Sequence, residues 1–269
     1  MRACADLTRD VVIPAGGSID EGYARAIGSP FRALAPLGPD RVPVLQHVVD
    51  TLRASGAAGR IIVVAPSPVA DVIEGVDEWL IAGDSGPANI RAGLARATPG
   101  RAALVCASDL PLMTPEGVAD FCVRCRPNAQ IAVGMVAAED YNRAFPDAPP
   151  SEFVRLADAG EVTLGGLFLI HPDLLARHDA LLRRLFAGRK DQWRMAGVLG
   201  PRLLWQWATK TLRLETVTRR AETISGTPVD VVSETDPTLA YDIDTEDDYT
   251  YAQSRFGQPT RPPRGRFSA

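Results

Sequence analysis

Residues 10–32 read DVVIPAGGSIDEGYARAIGSPFR, and this stretch decides the fold. Val11, Val12 and Ile13 form a short apolar run that reads as a buried strand. Pro14 ends it, because proline has no N–H to give to a sheet ladder. Ala15, Gly16, Gly17 and Ser18 follow at once. Small residues let backbone N–H groups come close to a ligand, and a concave run of such groups binds phosphate. Arg25 and Arg32 come next, and a guanidinium pairs with phosphate oxygens in a fork. The same stretch also fits a tight strand-to-loop turn with solvated arginines, and a glycine pair alone does not separate the two.

Outward from this loop the chain alternates. Val44, Leu45, Val48, Val49 and Leu52 share one helical face, with Pro43 at the first turn and Gly56 at the stop. Residues 61–65, IIVVA, form the next buried strand. A strand, a helix and a strand in this order imply parallel pairing with a right-handed crossover. The pattern repeats: a short strand at 79–82, a helix at 88–97, a strand at 102–107, a helix capped by Thr114 before Pro115, and a strand at 131–136. The expected fold is α/β, three layers (α/β/α) around a mixed, mainly parallel sheet.

The rhythm changes after residue 136. Residues 142–150 are polar with three prolines and read as an irregular loop. Residues 153–156 and 162–170 suggest an antiparallel strand pair. Helices are expected at 172–186, 193–207 and 215–225, then a strand at 229–232 and a last helix at 246–255. Trp193, Trp205 and Trp207 are read as core packing or as the face of a homodimer. From residue 257 the chain is rich in Pro, Arg and Gly and reads as a disordered tail.

Of the 269 residues 46% are hydrophobic, which suffices for one large core with an appended subdomain. The net charge is -4, and no basic patch argues for nucleic acid. No apolar run reaches the roughly 20 residues of a membrane span, and the first ten residues lack a signal-peptide core. A cytoplasmic protein with no membrane partner is expected. Cys122 and Cys125 have metal-like spacing, but with no second pair they read, like Cys4 and Cys106, as buried thiols.

Asp109 directly follows the apolar strand 102–107. In open α/β sheets, ligands bind just outside the carboxyl ends of the strands. A carboxylate there can hold Mg²⁺ beside a polyphosphate; it can equally be an ordinary turn aspartate. Asp242 and Asp244 form D-x-D in an extended stretch, so both face one side. Two like charges there repel unless a cation or a basic group sits between them, so at least one is a metal-ligand candidate; a solvated edge with a helix cap is the plainer alternative. Thr245 and Asp248 read as a capping box for the last helix. Gly83 and Gly86 lead into a helix N-terminus, which suits an anion or a base edge. Gly165 and Gly166 interrupt an apolar strand, as a bulge or a close backbone approach does.

Taken together, these pieces resemble the MobA-like nucleotidyltransferases, within the GT-A-type sugar-nucleotide pyrophosphorylases. The carriers are Ile13-Pro14-Ala15-Gly16-Gly17 with Arg25, Arg32-Ala33-Leu34-Ala35-Pro36-Leu37, and Pro43-Val44-Leu45. Next come residues 83–86 with Ile90 and Leu94, then Ser108-Asp109-Leu110-Pro111-Leu112, Gly165-Gly166, and Asp242-Ile243-Asp244-Thr245 with Asp248. The likeness covers residues 10–137 and 241–252, and 138–235 only loosely.

The resemblance implies one nucleotidyltransferase domain over 1–256, with 138–235 as an acceptor-side lid. It implies an NTP held by Ala15, Gly16, Gly17, Ser18, Gly83 and Gly86, and Mg²⁺ held by Asp109 and Asp244. Arg25 takes the place of the family's triphosphate arginine. Arg32 stands where the family has a lysine on the transferring phosphate. Arg155, Gly165, Gly166 and Asp242 fall to the side of a small-molecule acceptor. The loop between Gly17 and Arg25 is longer than the family's compact G-x-G-x-R-M form. A GT-A glycosyltransferase and a degenerate nucleotide-binding regulatory protein are the alternative readings. A Rossmann dehydrogenase is disfavoured, since Ala15-Gly16-Gly17-Ser18 lacks the G-x-G-x-x-G spacing.

Overall fold

The computed structural model describes residues 8–174 and 201–256. Its centre is β1 (Arg9–Pro14), a run of β-formers whose alternate side chains face opposite ways. Val11 and Ile13 enter a core with Leu45, Val48 and Leu52 of α2 (Val44–Ala54) and with Val118 and Phe121 of α5 (Pro115–Arg124). Val12 enters a second core with Leu94 of α4 (Gly86–Leu94). β4 (Ala58–Ala65) and β6 (Ala103–Cys106) divide their side chains in the same manner. Strands buried on both faces with helices above and below make the expected three layers.

The sheet runs β5 (Glu78–Ile81), β4, β1, β6, β9 (Gly160–Ile170), β7 (Ile131–Ala137), β10 (Val229–Val232), with β8 (Val154–Leu156) paired to β9. Apart from it, β2 (Pro36–Leu37) and β3 (Val42–Pro43) pair antiparallel, and α3 (Ser67–Ala70) is a single turn after β4. β1 pairs parallel with β4 on one side and with β6 on the other. Among the described strands of the main sheet only β9 runs against the rest, antiparallel to β6, β7 and β8. The chain leaves β1 toward β4 and leaves β6 toward β7. The carboxyl ends of β1 and β6 therefore form a switch point, where connections part and a crevice opens.

A smaller apolar cluster lies beside this crevice. It joins Tyr23 and Ile27 of α1 (Glu21–Ile27), Tyr141 of α6 (Ala138–Ala144), and Tyr241, Ile243 and Ala252 near the C-terminus. This cluster anchors the chain just before α9 (Glu246–Arg255). The capping box there is as expected: Thr245 Oγ1 accepts from Asp248 N at 3.2 Å, and Asp248 Oδ2 accepts from Thr245 N at 2.9 Å.

Several expectations need correction. Residues 142–144 are not irregular; they close α6, whose first turn is acidic. Residues 21–27 form a helix capped by Asp20, which accepts from Gly22 N at 2.8 Å. The helix expected at 88–97 starts at Gly86, with Ser85 as cap, and ends at Leu94. Trp205 and Trp207, on α7 (Pro201–Ala208), are 65% and 55% exposed and are not core. α8 (Leu214–Ser225) lies where a helix was expected. Residues 175–200, with Trp193, and 257–269 lie outside the described residues, as does Cys4. Cys106, Cys122 and Cys125 are buried free thiols. Burial pushes the thiols of Cys122 and Cys125 up to about 12, so they stay protonated. Among the described residues, no helix is long and apolar enough to cross a membrane.

Candidate active site at the carboxyl edge of the sheet

The glycine loop leaves β1 with one N–H already spent, since Ala15 N donates to Val64 O at 2.8 Å. Gly16 and Gly17 then differ. A Cβ on Gly16 would lie 2.7 Å from Asn89 Nδ2 and 2.9 Å from Ala82 Cβ, whereas one on Gly17 would meet nothing within 4 Å. At Gly16 the side facing protein has no room for a side chain, while the residue itself stays half-buried. Gly17 and Ser18 are the exposed part of the loop. Ser18 bridges antiparallel to Phe31, which ties the base of the 18–31 excursion and sets Arg32 beside the strand ends.

Asn89, which sequence reasoning did not single out, supports the loops around this crevice. It is buried in α4, and its Oδ1 accepts from Gly83 N at 2.7 Å. One asparagine therefore fixes the 83–86 loop against Gly16. The Gly83 N–H is consumed by this bond and is not offered to an anion. Gly86 stands exposed at the start of α4.

Arg32, Asp109 and Asp244 meet at the crevice from positions 77 and 212 residues apart. Arg32 Nη1 donates to Asp109 Oδ2 at 2.6 Å and also to Asp244 Oδ1. Asp109 is held where it is because Ile243 N donates to its backbone carbonyl at 3.2 Å. Tyr23 Oη in turn donates to Ile243 O at 3.3 Å. Residues 241–244 are not a sheet strand, but they alternate as one does: Tyr241 and Ile243 are fully buried, and Asp242 and Asp244 point outward.

Charge is crowded here. Asp109 and Asp244 share one guanidinium, and Asp242 lies within electrostatic reach of all three. Burial alone would lower the pKa of Arg32, but Asp109 and Asp244 outweigh it and hold the group above its ordinary value. Asp242 keeps solvent access yet is walled by protein on several sides. That loss of bulk water, then Asp109 and Asp244, push its carboxyl up to about 7.

The same geometry tests whether a divalent cation fits. Two carboxylate oxygens converge on a single positive nitrogen, so Arg32 Nη1 stands in for a cation between them. Among the described residues no three His, Cys, Asp or Glu side chains gather for a metal. Two carboxylates are the share a protein gives Mg²⁺ when substrate phosphates and water supply the rest. The donor set fits that metal and suits a protein-only metal cage poorly.

The other expected residues lie apart from this network. Arg25 is exposed in the last turn of α1 and its Nε donates to Glu21 O at 3.2 Å. Gly165 and Gly166 do sit at a bulge, where the β7–β9 register shifts between Val133 and Met135. The close approach is from the protein itself: a Cβ on Gly165 would lie 3.3 Å from Leu239 O, and one on Gly166 3.0 Å from both methyls of Leu110. Arg155 lines a groove of about 680 Å³ with Glu139, Glu161 and Lys210. Neither Arg155 nor Lys210 has an ion-pair partner among the described residues. Along β9, Leu167 faces Cys106 of β6 and Val162 faces Ala137 of β7. At about 3.3 Å per residue, β9 at the groove lies on the order of 15 Å beyond the carboxyl end of β6, measured along the strand.

A profile of the MobA-like NTP transferase domain matches residues 11–194. No curated protein sequence matches the chain. Among solved structures, a hypothetical transferase from Thermus thermophilus is 26% identical and superposes 90% of this chain on 99% of its own, with a TM-score of 0.78. The 2-C-methyl-D-erythritol 4-phosphate cytidylyltransferase of Thermus thermophilus is 17% identical, over 92% of this chain and 98% of its own, with a TM-score of 0.52. A CMP:2-keto-3-deoxy-manno-octonic acid synthetase in complex with CTP is 15% identical, over 92% of this chain and 97% of its own, at 0.56. The last two share the fold.

Proposed function

Because the chain belongs to the MobA-like NTP transferase domain family, and so is a nucleotidyltransferase, we propose that it moves an NMP from an NTP to a small-molecule acceptor, Mg²⁺-dependently. The observation that carries this reading is the convergence of Asp109 and Asp244 on one cationic point beside the exposed Gly17-Ser18 turn. An acceptor oxygen, from a phosphate or a hydroxyl, attacks the α-phosphorus. A new P–O bond forms there, the bond to the bridging oxygen breaks, and pyrophosphate leaves with the electron pair.

Asp109 and Asp244 would hold the Mg²⁺, which neutralises charge on the phosphates when bound. Gly17 and Ser18 present backbone and hydroxyl to the phosphate chain. Arg32 binds the transferring phosphate in the fork geometry that an ammonium lacks. Arg25, on its exposed turn, reaches the outer phosphates. A phosphate nucleophile needs no general base, so the site acts through positioning and charge. Gly83 and Gly86, backed by Asn89, form the wall on the base side. The acceptor side is assigned to the 138–235 stretch, where Arg155 and Lys210 line a groove of about 680 Å³ that offers positive charge to an anionic acceptor, and Asp242 is assigned to the acceptor as well.

The test is a melting screen with ATP, CTP, GTP and UTP, each with Mg²⁺ and with EDTA. CTP comes first because two neighbours are named for cytidylyl chemistry. A ligand at 100 times its dissociation constant adds about 2.7 kcal/mol, or roughly 5–10 °C for a chain of this size. A Mg²⁺-dependent rise with one NTP, followed by pyrophosphate release with an acceptor, is the expected result. A rise with nucleotide sugars only would overturn the proposal.

A further inference from the structure

Arg32 grips both metal-site carboxylates through a single nitrogen, Nη1. It is only 23% exposed in its side chain, and Asp109 only 15%. The pair is therefore poorly screened by water, and removing the guanidinium would leave two facing carboxylates with Asp242 close behind. Asp244, by contrast, is 51% exposed and open to the crevice.

A cation that binds between Asp109 and Asp244 must take the place Arg32 Nη1 fills. Two positive groups cannot occupy one point, so each weakens the binding of the other, and the coupling is reciprocal. Resting on the metal reading given above, we propose that Arg32 is a built-in counter-ion for the metal site. It keeps divalent cation out until phosphates arrive to receive the guanidinium. The NTP then recruits metal by drawing Arg32 away from the carboxylates as it brings the ion in. Metal without nucleotide binds weakly, and the carboxylates are never left bare.

The test is direct binding of Mn²⁺ alone, followed by the free-ion electron paramagnetic resonance signal, on wild type, R32A, D109N and the R32A/D109N double variant. R32A is expected to bind one Mn²⁺ on the order of ten-fold more tightly than wild type, with the gain abolished in the double variant. Melting in EDTA gives a second readout: R32A melts lower than wild type, and Mn²⁺ raises it far more than it raises wild type. R32Q keeps the bulk of the side chain without the charge and repeats the measurement if R32A folds poorly. Equal Mn²⁺ affinity in wild type and R32A, both lost with D109N, would overturn the counter-ion role and leave the metal site standing. No Mn²⁺ binding in R32A or R32Q, and none in wild type with any of the four NTPs, would remove the metal reading itself.

Discussion

The two ends of the sheet use charge in opposite ways. At the amino ends of β1, β4 and β6 a cavity of about 320 Å³ is lined by Arg9, Arg60, Arg101, Asp10 and Thr98. Most of that charge is satisfied in place. Arg60 pairs with Glu78 at 2.6 Å, Arg96 pairs with the same carboxylate at 2.5 Å, and Arg101 donates to Thr8 O at 3.0 Å. Asp10 accepts from Thr98 N at 2.7 Å and Thr98 Oγ1 at 2.8 Å. At the carboxyl ends one arginine serves two carboxylates and a third stands beside them. A concave, charged surface is therefore not enough to mark a site. Unbalanced charge at the end where connections diverge is the better sign.

Asp109→Asn should sharpen this comparison most. It leaves a hydrogen-bonding side chain in place, so melting should shift by only a few degrees, while pyrophosphate release falls on the order of 100-fold or more. Turnover near wild type would move the chemistry away from this edge. The glycine pair separates scaffold from ligand within one loop. Gly16→Ala drives a methyl into Asn89 and Ala82 and should cost about 1–3 kcal/mol. Gly17→Ala should melt as wild type but bind NTP several-fold more weakly; calorimetric melts and titrations of both variants read this directly.

At the opposite end, Glu78→Gln removes the shared partner of Arg60 and Arg96. Because both arginines are about half exposed, the loss should be about 1 kcal/mol, or roughly 2–4 °C. Activity per folded molecule should not change, and a drop in kcat at constant stability would break the division between the two ends.

The smallest effect is a pH dependence away from both. His47 lies on α2 against the Phe256 ring at 4.6 Å, and its buried Nε2 has no hydrogen-bond partner among the described residues. Burial holds its pKa below the ordinary value, with Asp50 opposing. The folded state thus resists protonation more than the unfolded chain. Stability from this source is full above about 6.5 and is lost as pH falls through the depressed value. His47→Phe should flatten the acid side of a melting-versus-pH curve and leave the curve above neutrality unchanged.

The sheet was legible because its central strands are short apolar runs closed by proline, and because Thr114 and Thr245 announce helices in local chemistry. Residue pairs far apart in sequence were not. That Arg32 meets Asp109 and Asp244 depends on strand order, and nothing within a few residues of any of them encodes it. Helix α1 was hidden by Gly22 and Gly28, which read as loop until Asp20 is seen capping. Asn89 carried no period or motif of its own. Of the two readings of Trp205 and Trp207, core packing fails because bulk and apolarity say nothing about which side of a helix is covered.

The reversed direction of β9 has a consequence for how the molecule is made. β6 is complete once residue 106 has been synthesised, but its second edge pairs only with β9, which ends at residue 170. During that interval a nascent chain carries β5, β4, β1 and β6 with the apolar border of β6, which the finished fold covers, unpaired. Such borders recruit other strands and seed aggregation. A fragment ending at residue 137 would stop at a natural boundary and contain the glycine loop and Asp109. It would nevertheless emerge from the ribosome with that border open, and should accumulate in inclusion bodies where the full chain does not.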